Sequence, residues 1–336
     1  MIQNAIEILS QGWDLTQAQM QQAMEEIMSG KADTAQIITF LVGLSKKGET
    51  IEELSSAAQV MRRHVTKINT SHEVVLDTCG TGGDKLGTFN ISTVVAFVAS
   101  GSGIAVAKHG NRSVSSRCGS ADILEALGIN IRMSKERIEE CMEKIGIAFL
   151  FAQDLHPAMK YAMPARKEIS AKTMFNILGP LTNPASATHQ LIGVYDERWT
   201  EILARVLTNL GSVHALVVHG EDGLDEITTT ANTKISETSQ GKIKSYEISP
   251  EDFGFKKSRP EDLKGGDASV NAQILLDVLN GVAGPKSDIV LLNAAAAIYV
   301  ADKARSIREG IRLAKGSIDS KEALKKFNLL KECSKQ

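Results

Sequence analysis

Aromatic residues and an excess of positive charge are both missing from this sequence. Phe, Trp and Tyr make up 4% of its 336 residues, and 38 Lys and Arg stand against 40 Asp and Glu, for a formal net charge of −2. Proteins that bind nucleic acid normally present a basic field, and those that bind single strands add aromatic stacking platforms. The composition therefore argues against nucleic acid as a partner.

Cysteine is scarce as well, and no long apolar run occurs. Cys79, Cys118, Cys141 and Cys333 are widely spaced, with no CxxC pair that would indicate zinc or a redox couple. The longest apolar run, near residues 293–300, is too short to span a bilayer, and the first residues show no basic leader followed by an apolar core. We therefore expect a cytoplasmic protein with reduced thiols and no membrane partner.

What the sequence does contain is an ordinary globular composition, with 43% hydrophobic and 23% charged residues, and a length that favours roughly two domains. Capping boxes at residues 16–19 and 50–53, with a looser version at 33–36, precede apolar residues at helical spacing. These signals predict four short helices over residues 2–64. A polar connection, residues 66–73, leads to a second domain.

From residue 74 onward, short apolar segments alternate with helical ones. Strands are predicted at residues 74–76, 104–107, 147–151, 191–195 and 216–219, followed by a hairpin around residues 240–241. This order predicts an α/β fold with a small all-helical N-terminal domain and a larger α/β domain whose central sheet is mostly parallel. Residues 160–190, which include three prolines, interrupt the rhythm around a helical stretch.

A glycine-rich segment follows the first predicted strand and precedes a helical run. Residues 77–84 read Asp-Thr-Cys-Gly-Thr-Gly-Gly-Asp. Glycines between a strand and a helix let backbone N–H groups converge on a ligand beside the positive end of the helix dipole. The segment favours a phosphate site, and Asp77 and Asp84 fit a ligand that also brings Mg²⁺ or hydroxyls. Its spacing matches neither a Walker A loop nor a dinucleotide fingerprint, and a plain tight connection is the alternative.

A second polar segment, residues 108–120, follows the predicted strand at 104–107. It combines three cations, one imidazole, four serines and two glycines. Lys and Arg supply charge for phosphate oxygens, and hydroxyls and glycine N–H groups supply directed donors. We expect a phosphate-binding loop rather than a polar surface loop, although Ser120 also begins a helix and can cap it. The sequence leaves open whether His109 contacts a ligand or is a structural donor.

Adjacent carboxylates, Asp225 and Glu226, follow the predicted strand at 216–219. Mg²⁺ prefers a few carboxylates together with water and phosphate oxygens, so beside two phosphate-type loops this pair favours a metal site over an acidic turn. Arg166, in the interrupted segment, is either a surface cation or, where that segment faces the cleft, a bidentate clamp for a carboxylate. Asn111 is a candidate to orient a second substrate.

Together these segments resemble the anthranilate phosphoribosyltransferases of tryptophan biosynthesis. The matching segments are residues 77–84, 90–93, 108–122, 179–184 and 223–228 and the one around Arg166, and residues 293–297 look like the alanine-rich helix of that family. The resemblance spans nearly the whole chain in order. Arg117 and Cys118 depart from it, because Lys and Ser are expected at these two positions.

The resemblance implies a reaction and an organisation. The phosphoribosyl group of phosphoribosyl pyrophosphate would pass to the amino group of anthranilate, with Mg²⁺ as cofactor and pyrophosphate as leaving group. Residues 1–65 plus about 160–190 would form a helical dimerisation domain, and residues 74–159 and 191–336 an α/β donor-binding domain. The chain would be a homodimer formed through its helical domain.

Carried over by position, the resemblance also implies roles for individual residues. Anthranilate would contact Gly80, Asn111 and Arg166, and Mg²⁺ would be engaged by Ser92, Asp225 and Glu226. The sugar diphosphate would be held by Gly80, Gly83, Asp84, Thr88, Asn90, Ile91, Ser92, Thr93, Lys108, His109, Gly110, Asn111, Arg112, Ser113, Val114, Ser115, Ser116 and Ser120. Lys108 would neutralise charge on the departing pyrophosphate. No general base is assigned, because an aryl amine is already neutral at neutral pH.

Two other functions stay open at this point. A pyrimidine nucleoside phosphorylase looks similar in architecture but would take inorganic phosphate and a nucleoside, and the pair Asp225 and Glu226 together with Arg166 favours the transferase. A non-catalytic relative that binds nucleic acid would have a basic groove and would lack the carboxylate-binding Arg. The net charge and Arg166 both oppose that reading.

Overall fold

The computed structural model describes residues 1–113, 118–169 and 171–335. Its chain begins with four helices, α1 (Ile2–Ser10), α2 (Gln17–Met28), α3 (Thr34–Lys47) and α4 (Ile51–Arg63). The predicted capping boxes are confirmed. The side chains of Thr16, Asp33 and Thr50 each accept from the backbone N–H three residues on, and the Gln or Glu at that position accepts from the cap N–H in return. These reciprocal bonds explain why α2, α3 and α4 begin where they do.

Strands and helices alternate through the remainder of the described chain. In order they are β1 (Val75–Gly80), α5 (Ile91–Gly101), β2 (Ala105–Gly110), α6 (Ser120–Ala126), α7 (Lys135–Ile145), β3 (Ile147–Phe151), α8 (Ala152–Leu155), α9 (Met159–Glu168), α10 (Phe175–Leu178), β4 (His189–Gly193), α11 (Trp199–Asn209), β5 (His214–Gly220), β6 (Thr233–Ser239), β7 (Lys242–Ile248), α12 (Ala268–Leu279), α13 (Pro285–Val300), α14 (Ile307–Asp319) and α15 (Glu322–Cys333). Short 3₁₀ turns lie at Gly179–Leu181, Pro250–Phe253 and Pro260–Leu263. The predicted strands are confirmed, although most of them begin or end a few residues away from the predicted bounds.

One seven-stranded sheet, counted over the described residues, has the order β3-β2-β1-β4-β5-β6-β7. The strands from β3 to β5 pair in parallel, and β6 and β7 add an antiparallel hairpin that turns at Gln240 and Gly241, both with positive φ. The predicted fold class is confirmed. The chain builds outward from β1 to β3 and then returns to the other side of β1 with β4. Ligands of open α/β sheets bind where the strand order reverses in this way, outside the carboxyl ends of the strands.

Hydrophobic cores lie on both faces of the sheet, since alternate residues of a strand point to opposite faces. Leu216 belongs to the core that contains α5 and α13, whereas Val217 belongs to the core that contains α1–α4. Buried Phe40, Ala162 and Leu178 join α3, α9 and α10 within this second core. Helices α9 and α10 lie in the segment of about residues 160–190. Their packing in the same core as α3 supports the predicted assignment of this segment to the helical domain, and the domain boundaries stay a prediction.

Membrane-spanning character is not found among the helices of the described ranges. None of them combines the length and the apolar character that crossing a bilayer requires.

Candidate active site

The acidic turn after β5 (residues 221–227) reaches across to the glycine turn after β1 (residues 80–87). Asp225 Oδ2 accepts a 2.8 Å hydrogen bond from the backbone N–H of Gly82. A Cβ at Gly80 would lie 2.7 Å from this Oδ2, and a Cβ at Gly193 would lie 1.5 Å from the carbonyl oxygen of Asp225. Gly80 and Gly193 are register partners at the carboxyl ends of β1 and β4. Both positions therefore need glycine for Asp225 to lie at the switch point, the place between β1 and β4 where the strand order reverses.

Asn293 of α13 fixes the same acidic turn from below. Its Oδ1 accepts from the N–H of Ile227 at 2.9 Å and its Nδ2 donates to the Ile227 carbonyl at 2.7 Å, in a fully buried setting. Glu226 Oε1 accepts a 3.1 Å bond from the N–H of Ser92, in the first turn of α5. The two carboxylates thus bridge the glycine turn and the start of α5. Gly193 and Asn293 do not stand out in the sequence as site residues, although a glycine inside a predicted strand is a known sign of close backbone approach.

Lys108, at the end of β2, is buried directly beneath these turns. Its Nζ donates to the Thr78 carbonyl at 2.5 Å and to Ser92 Oγ at 3.3 Å. Burial lowers the pKa of Lys108, and the nearby carboxylates of Asp77 and Glu226 oppose that change. The ammonium therefore links β1, β2 and α5, and it places positive charge where an anion above the turns would be stabilised.

Asp225 and Glu226 lie in surroundings that oppose their ionisation. Burial raises the pKa of Asp225 to about 7, with Asp84 adding repulsion, and burial raises the pKa of Glu226 to about 8, with Asp225 adding repulsion. A divalent cation would remove this repulsion, so the donor set fits Mg²⁺. No three His, Cys, Asp or Glu side chains of the described residues form a group able to hold a metal on their own. The remaining ligands of such an ion would be Ser92, water or the oxygens of a bound diphosphate.

The glycine turn itself adopts left-handed backbone conformations. Gly82, Gly83, Lys85 and Gly87 have φ values of 65°, 85°, 61° and 70°. Such conformations turn successive N–H groups toward one side and form a concave site for an anion. This geometry is what the spacing of the glycines predicts.

A cation that the sequence does not single out contacts the glycine turn. Lys172, between α9 and α10, places its Nζ 3.4 Å from the carbonyl oxygen of Gly83 and 3.0 Å from the centroid of the Tyr195 ring. Tyr195 in turn donates its N–H to Thr81 Oγ1 at 3.2 Å. The segment between β3 and β4 therefore reaches the glycine turn. A lone Lys in a polar stretch gives no signal for this contact.

Asp77 and His109 are both buried and contact other parts of the protein. Asp77 is fully buried, and it accepts from the His109 N–H at 3.0 Å and from Asn183 Nδ2 at 2.8 Å, so it fixes the end of β2 and does not face a ligand. His109 Nε2 lies 3.1 Å from His156 Nε2, and the two buried rings are stacked 5.0 Å apart. Burial, with His156 adding to it, holds the pKa of His109 well below its ordinary value. Of the two roles left open for this side chain, the structure favours the structural one.

The loop after β2 is held against α6. Arg112 Nη1 pairs with Asp122 Oδ1 at 2.9 Å and with Glu125 Oε2 at 2.8 Å, so its charge is directed to these carboxylates. Asp122 also accepts from the N–H of Ser113 at 3.1 Å. Engagement of a phosphate by the Arg112 side chain would require exchange of these ion pairs. The other loop positions expected to bind the donor, Val114, Ser115 and Ser116, lie outside the described residues, as does Arg117.

Asn111 and Ser120 meet at the mouth of the same loop. Ser120 Oγ accepts from the Asn111 N–H at 3.2 Å, and exposed Asn111 accepts on Oδ1 from Gln153 Nε2 at 3.2 Å. A Cβ at Gly110 would lie 2.2 Å from Ser120 Oγ. Gly110 therefore permits the close approach that brings Asn111 next to α6.

At the start of α5, some polar groups are hydrogen-bonded and one side chain is not. Asn90 donates from Nδ2 to the Cys118 carbonyl at 3.1 Å and accepts from Asn271 Nδ2 at 3.0 Å. The N–H of Ile91 donates to the Phe89 carbonyl at 2.8 Å. Within the described ranges, the buried Thr93 Oγ1 has no hydrogen-bond partner. Thr88 forms an isolated bridge with Lys264 at the outer rim.

Arg166 lies on the helical side, in the last turn of α9. Its guanidinium is 5.6 Å from the centroid of the Phe175 ring, and burial lowers its pKa. No salt bridge to Arg166 occurs among the residues that the structure describes. A half-buried guanidinium without a carboxylate partner is suited to receive one from a ligand.

Comparison with known proteins gives this fold and site a class. The model of the glycosyl transferase family a/b domain matches residues 72–324, and that of the family's helical bundle domain matches residues 3–65. The fold and the site are thus those of a glycosyltransferase built from a helical bundle and an α/β domain.

Relatives narrow that class. An anthranilate phosphoribosyltransferase of Acetivibrio thermocellus is 52% identical over 98% of this chain and 95% of the relative, and one of Symbiobacterium thermophilum is 51% identical over 96% and 95%. The crystal structure of the Thermus thermophilus enzyme of that name is 39% identical and has a TM-score of 0.94, with 99% of both chains covered. The Saccharomyces cerevisiae enzyme in complex with PRPP and Mg is 26% identical, with a TM-score of 0.91 over 99% and 98%. The chain belongs to the anthranilate phosphoribosyltransferase family, and the expected enzyme class is confirmed.

Proposed function

We propose that this chain transfers the phosphoribosyl group of phosphoribosyl pyrophosphate to the amino group of anthranilate and releases phosphoribosylanthranilate and pyrophosphate. The observation that carries the proposal is the convergence of the glycine turn, the acidic turn and the start of α5 at the switch point. Asp225 binds Gly82, Glu226 binds Ser92, and Lys108 lies beneath them. The yeast relative has been solved with PRPP and Mg and with 4-fluoroanthranilate, which supports the same substrates here.

The donor would be bound by the glycine turn and the start of α5. Gly80, Gly83 and Asp84 supply the turn, whose positive φ values direct N–H groups toward an anion. The loop from Lys108 onward would close over the diphosphate. Thr93 Oγ1, buried and unpaired among the described residues, is free to donate to it.

We assign the metal site to Ser92, Asp225 and Glu226. When bound, Mg²⁺ would supply positive charge to the oxygens of the pyrophosphate. The residues of this chain hold the turns in place, since Asn293 anchors the acidic turn and Gly80 and Gly193 leave room for it.

Catalysis would rest on leaving-group charge and positioning. As the bond from C1 of the ribose to pyrophosphate breaks, negative charge develops on the departing oxygens and positive charge on the sugar. Lys108 is already desolvated and held by the Thr78 carbonyl, so it would stabilise the negative charge on the departing oxygens without reorganisation. The neutral amine of anthranilate needs no strong base, so alignment with C1 would supply the remainder.

Anthranilate would be held by Gly80, Asn111 and Arg166. Arg166 would clamp its carboxylate, and Asn111, exposed beside the loop, would orient its ring. The contact of Lys172 with Gly83 supports this arrangement, because it brings the segment that carries Arg166 to the glycine turn.

The assembly would be a cytoplasmic homodimer formed through the helical domain. Large apolar side chains are exposed there, with Trp13 at 65%, Tyr161 at 39% and Met163 at 39%. Trp, Tyr and Met are enriched at protein–protein interfaces. Sedimentation equilibrium would test this assembly, and a monomer at micromolar concentration would contradict it.

The decisive test of the reaction is the loss of anthranilate fluorescence on mixing with phosphoribosyl pyrophosphate, Mg²⁺ and the protein. We expect the signal to fall only in the complete mixture, with three controls that omit one component each. Phosphorolysis of thymidine or uridine in place of this reaction would instead support a nucleoside phosphorylase.

A further inference from the structure

Two cysteines that are far apart in the sequence meet at the end of the last helix. Cys141 Sγ of α7 lies 2.7 Å from Cys333 Sγ of α15, although 192 positions separate them, and both are free thiols. A disulfide bond requires about 2.05 Å between the sulfurs. The two thiols therefore need to approach by less than 1 Å to form one. No role in the proposed reaction uses this pair.

The two thiols differ in access. Cys141 is completely buried, whereas Cys333 is partly exposed. Burial, with Cys333 adding to it, raises the pKa of the Cys141 thiol. Cys333 is therefore the thiol that an oxidant in solution reaches first, and Cys141 is positioned to resolve the resulting adduct.

Helix α15 runs along α5, whose first turn lies at the site. The backbone of Ala323 packs closely against Gly101 of α5, where an added Cβ would lie 2.5 Å from the Ala323 nitrogen. The rings of Phe327 and Phe97 pack edge to face, with their centroids 5.6 Å apart. Leu330, one turn before Cys333, lines a small cavity with Thr93 and Lys108. The end of α15 thus supports the wall behind the donor site.

We propose that Cys141 and Cys333 form a reversible disulfide that clasps α15 to α7 when the protein meets a low-molecular-weight disulfide. The Cys333 thiolate attacks one sulfur of that disulfide, a mixed disulfide forms, and one small thiolate leaves. The Cys141 thiolate then attacks the Cys333 sulfur, the protein disulfide forms, and the second small thiolate leaves. The two protons of the protein thiols pass to the two departing thiolates, so one disulfide and two thiols are consumed and the same number is produced.

The clasp closes a loop of nearly 200 residues that contains most of the sheet. A cross-link over so long a segment restricts the unfolded chain strongly and stabilises the folded one. The expected consequence is a higher melting temperature of the α/β part in the oxidised protein, which dithiothreitol reverses.

The experiment treats the full-length protein with oxidised glutathione and counts thiols with Ellman's reagent after denaturation. We expect the count to fall from four to two, linked peptides containing Cys141 and Cys333 in a digest, and a rise in melting temperature of about 5 °C. Cys333→Ser should retain its other three thiols and show no rise. Cys333→Ala serves as a second variant with the same expectation.

Three results would overturn the proposal. The count could remain at four in the wild-type protein, the digest could link Cys79 or Cys118 instead, or the expected link could form without any rise in melting temperature. All three results are measured on the wild-type protein, so none of them depends on whether a variant folds.

Discussion

The carbonyl of Asp225 packs against the Cα of Gly193, where any Cβ would lie 1.5 Å from the oxygen. Backbone contacts this close cannot be relieved by rotating a side chain. The position of the acidic turn therefore depends on a glycine in the neighbouring strand, which lies 32 positions earlier in the sequence.

Replacing this glycine should disable the site. In Gly193→Ala, the methyl group must displace the acidic turn, and a shift of about 1 Å in catalytic groups costs on the order of 100-fold in kcat/KM. The measurement is the initial rate of anthranilate consumption together with the melting temperature. Gly316→Ala is the matched control, because nothing lies within 4 Å of its added Cβ. Wild-type kinetics in Gly193→Ala would show that Asp225 need not be where we place it.

Removing the buried cation should lower turnover as well as stability. Lys108→Met keeps the length of the side chain but leaves the buried carboxylate of Asp77 without its nearby cation, so the melting temperature should also fall. We expect kcat to fall by about 100- to 1,000-fold, since developing charge on the leaving group loses a fixed partner. Steady-state kinetics with both substrates varied checks this expectation. A fall in melting temperature with unchanged kcat would assign Lys108 a purely structural role.

The acidic pair should account for the metal dependence. The double variant Asp225→Asn plus Glu226→Gln should lose Mg²⁺-dependent turnover while retaining its circular dichroism spectrum, because neutral amides bind Mg²⁺ weakly. Isothermal titration of donor and Mg²⁺ should release no heat with it. Glu221→Gln, an exposed change on the same turn, is the control and should behave as wild type. Normal turnover in the double variant would refute the metal assignment.

The acceptor clamp should separate the two Michaelis constants. Arg166→Ala should raise the KM for anthranilate by about 10- to 100-fold, the range expected for hydrogen bonds to a charged group, and the KM for the donor much less. Lys167→Ala, its exposed neighbour on α9, should change neither. Equal increases in both constants would count against a carboxylate clamp.

A charge network around buried His214 and Glu237, away from the site, should make stability depend on pH. His214 lies 3.1 Å from Glu237 and 2.9 Å from Asp302, and Glu237 also contacts its other neighbours, Tyr246, Tyr299 and Lys244. Burial lowers the pKa of His214, but Glu237 and Asp302 outweigh it, so the pKa is raised. Burial raises the pKa of Glu237, but hydrogen bonds from His214 and the hydroxyls of Tyr246 and Tyr299 outweigh it and lower the pKa to about 2.

The two pKa shifts set the direction of the pH dependence. The raised pKa of His214 stabilises the folded protein below about pH 6.5, and this contribution is lost as the pH rises through the folded-state pKa. The lowered pKa of Glu237 stabilises the folded protein above about pH 4.3, and this contribution is lost as the pH falls toward 2. The melting temperature of His214→Gln should therefore fall furthest below wild type between these limits and approach it in alkaline solution. A deficit that is the same at every pH would contradict the ion pair.

Local rules predict much of this molecule. The capping boxes locate three helices because their hydrogen bonds span only three residues. The glycine turn has the predicted backbone because Gly82, Gly83 and Gly87 adopt positive φ without a steric penalty. The three polar segments could be expected to meet, since the carboxyl ends of parallel strands lie at one edge of a sheet.

Contacts between distant segments could not be predicted in the same way. The packing of separate elements determines three such contacts: the close approach of the Asp225 carbonyl to Gly193, the contact of Lys172 with Gly83, and the hydrogen bonds of Asn293 to Ile227. His109 illustrates the same limit, because the contact that favours a structural role for its ring is with His156, 47 residues away.

The excursion between β3 and β4 has a consequence for engineering. One short stretch of chain carries both Arg166, the proposed acceptor clamp, and Lys172, which contacts the glycine turn. Grafting this stretch from a relative to alter the choice of aromatic amine would therefore also alter the grip on the sugar diphosphate. Acceptor preference is better redesigned by single substitutions than by exchanging the whole crossover.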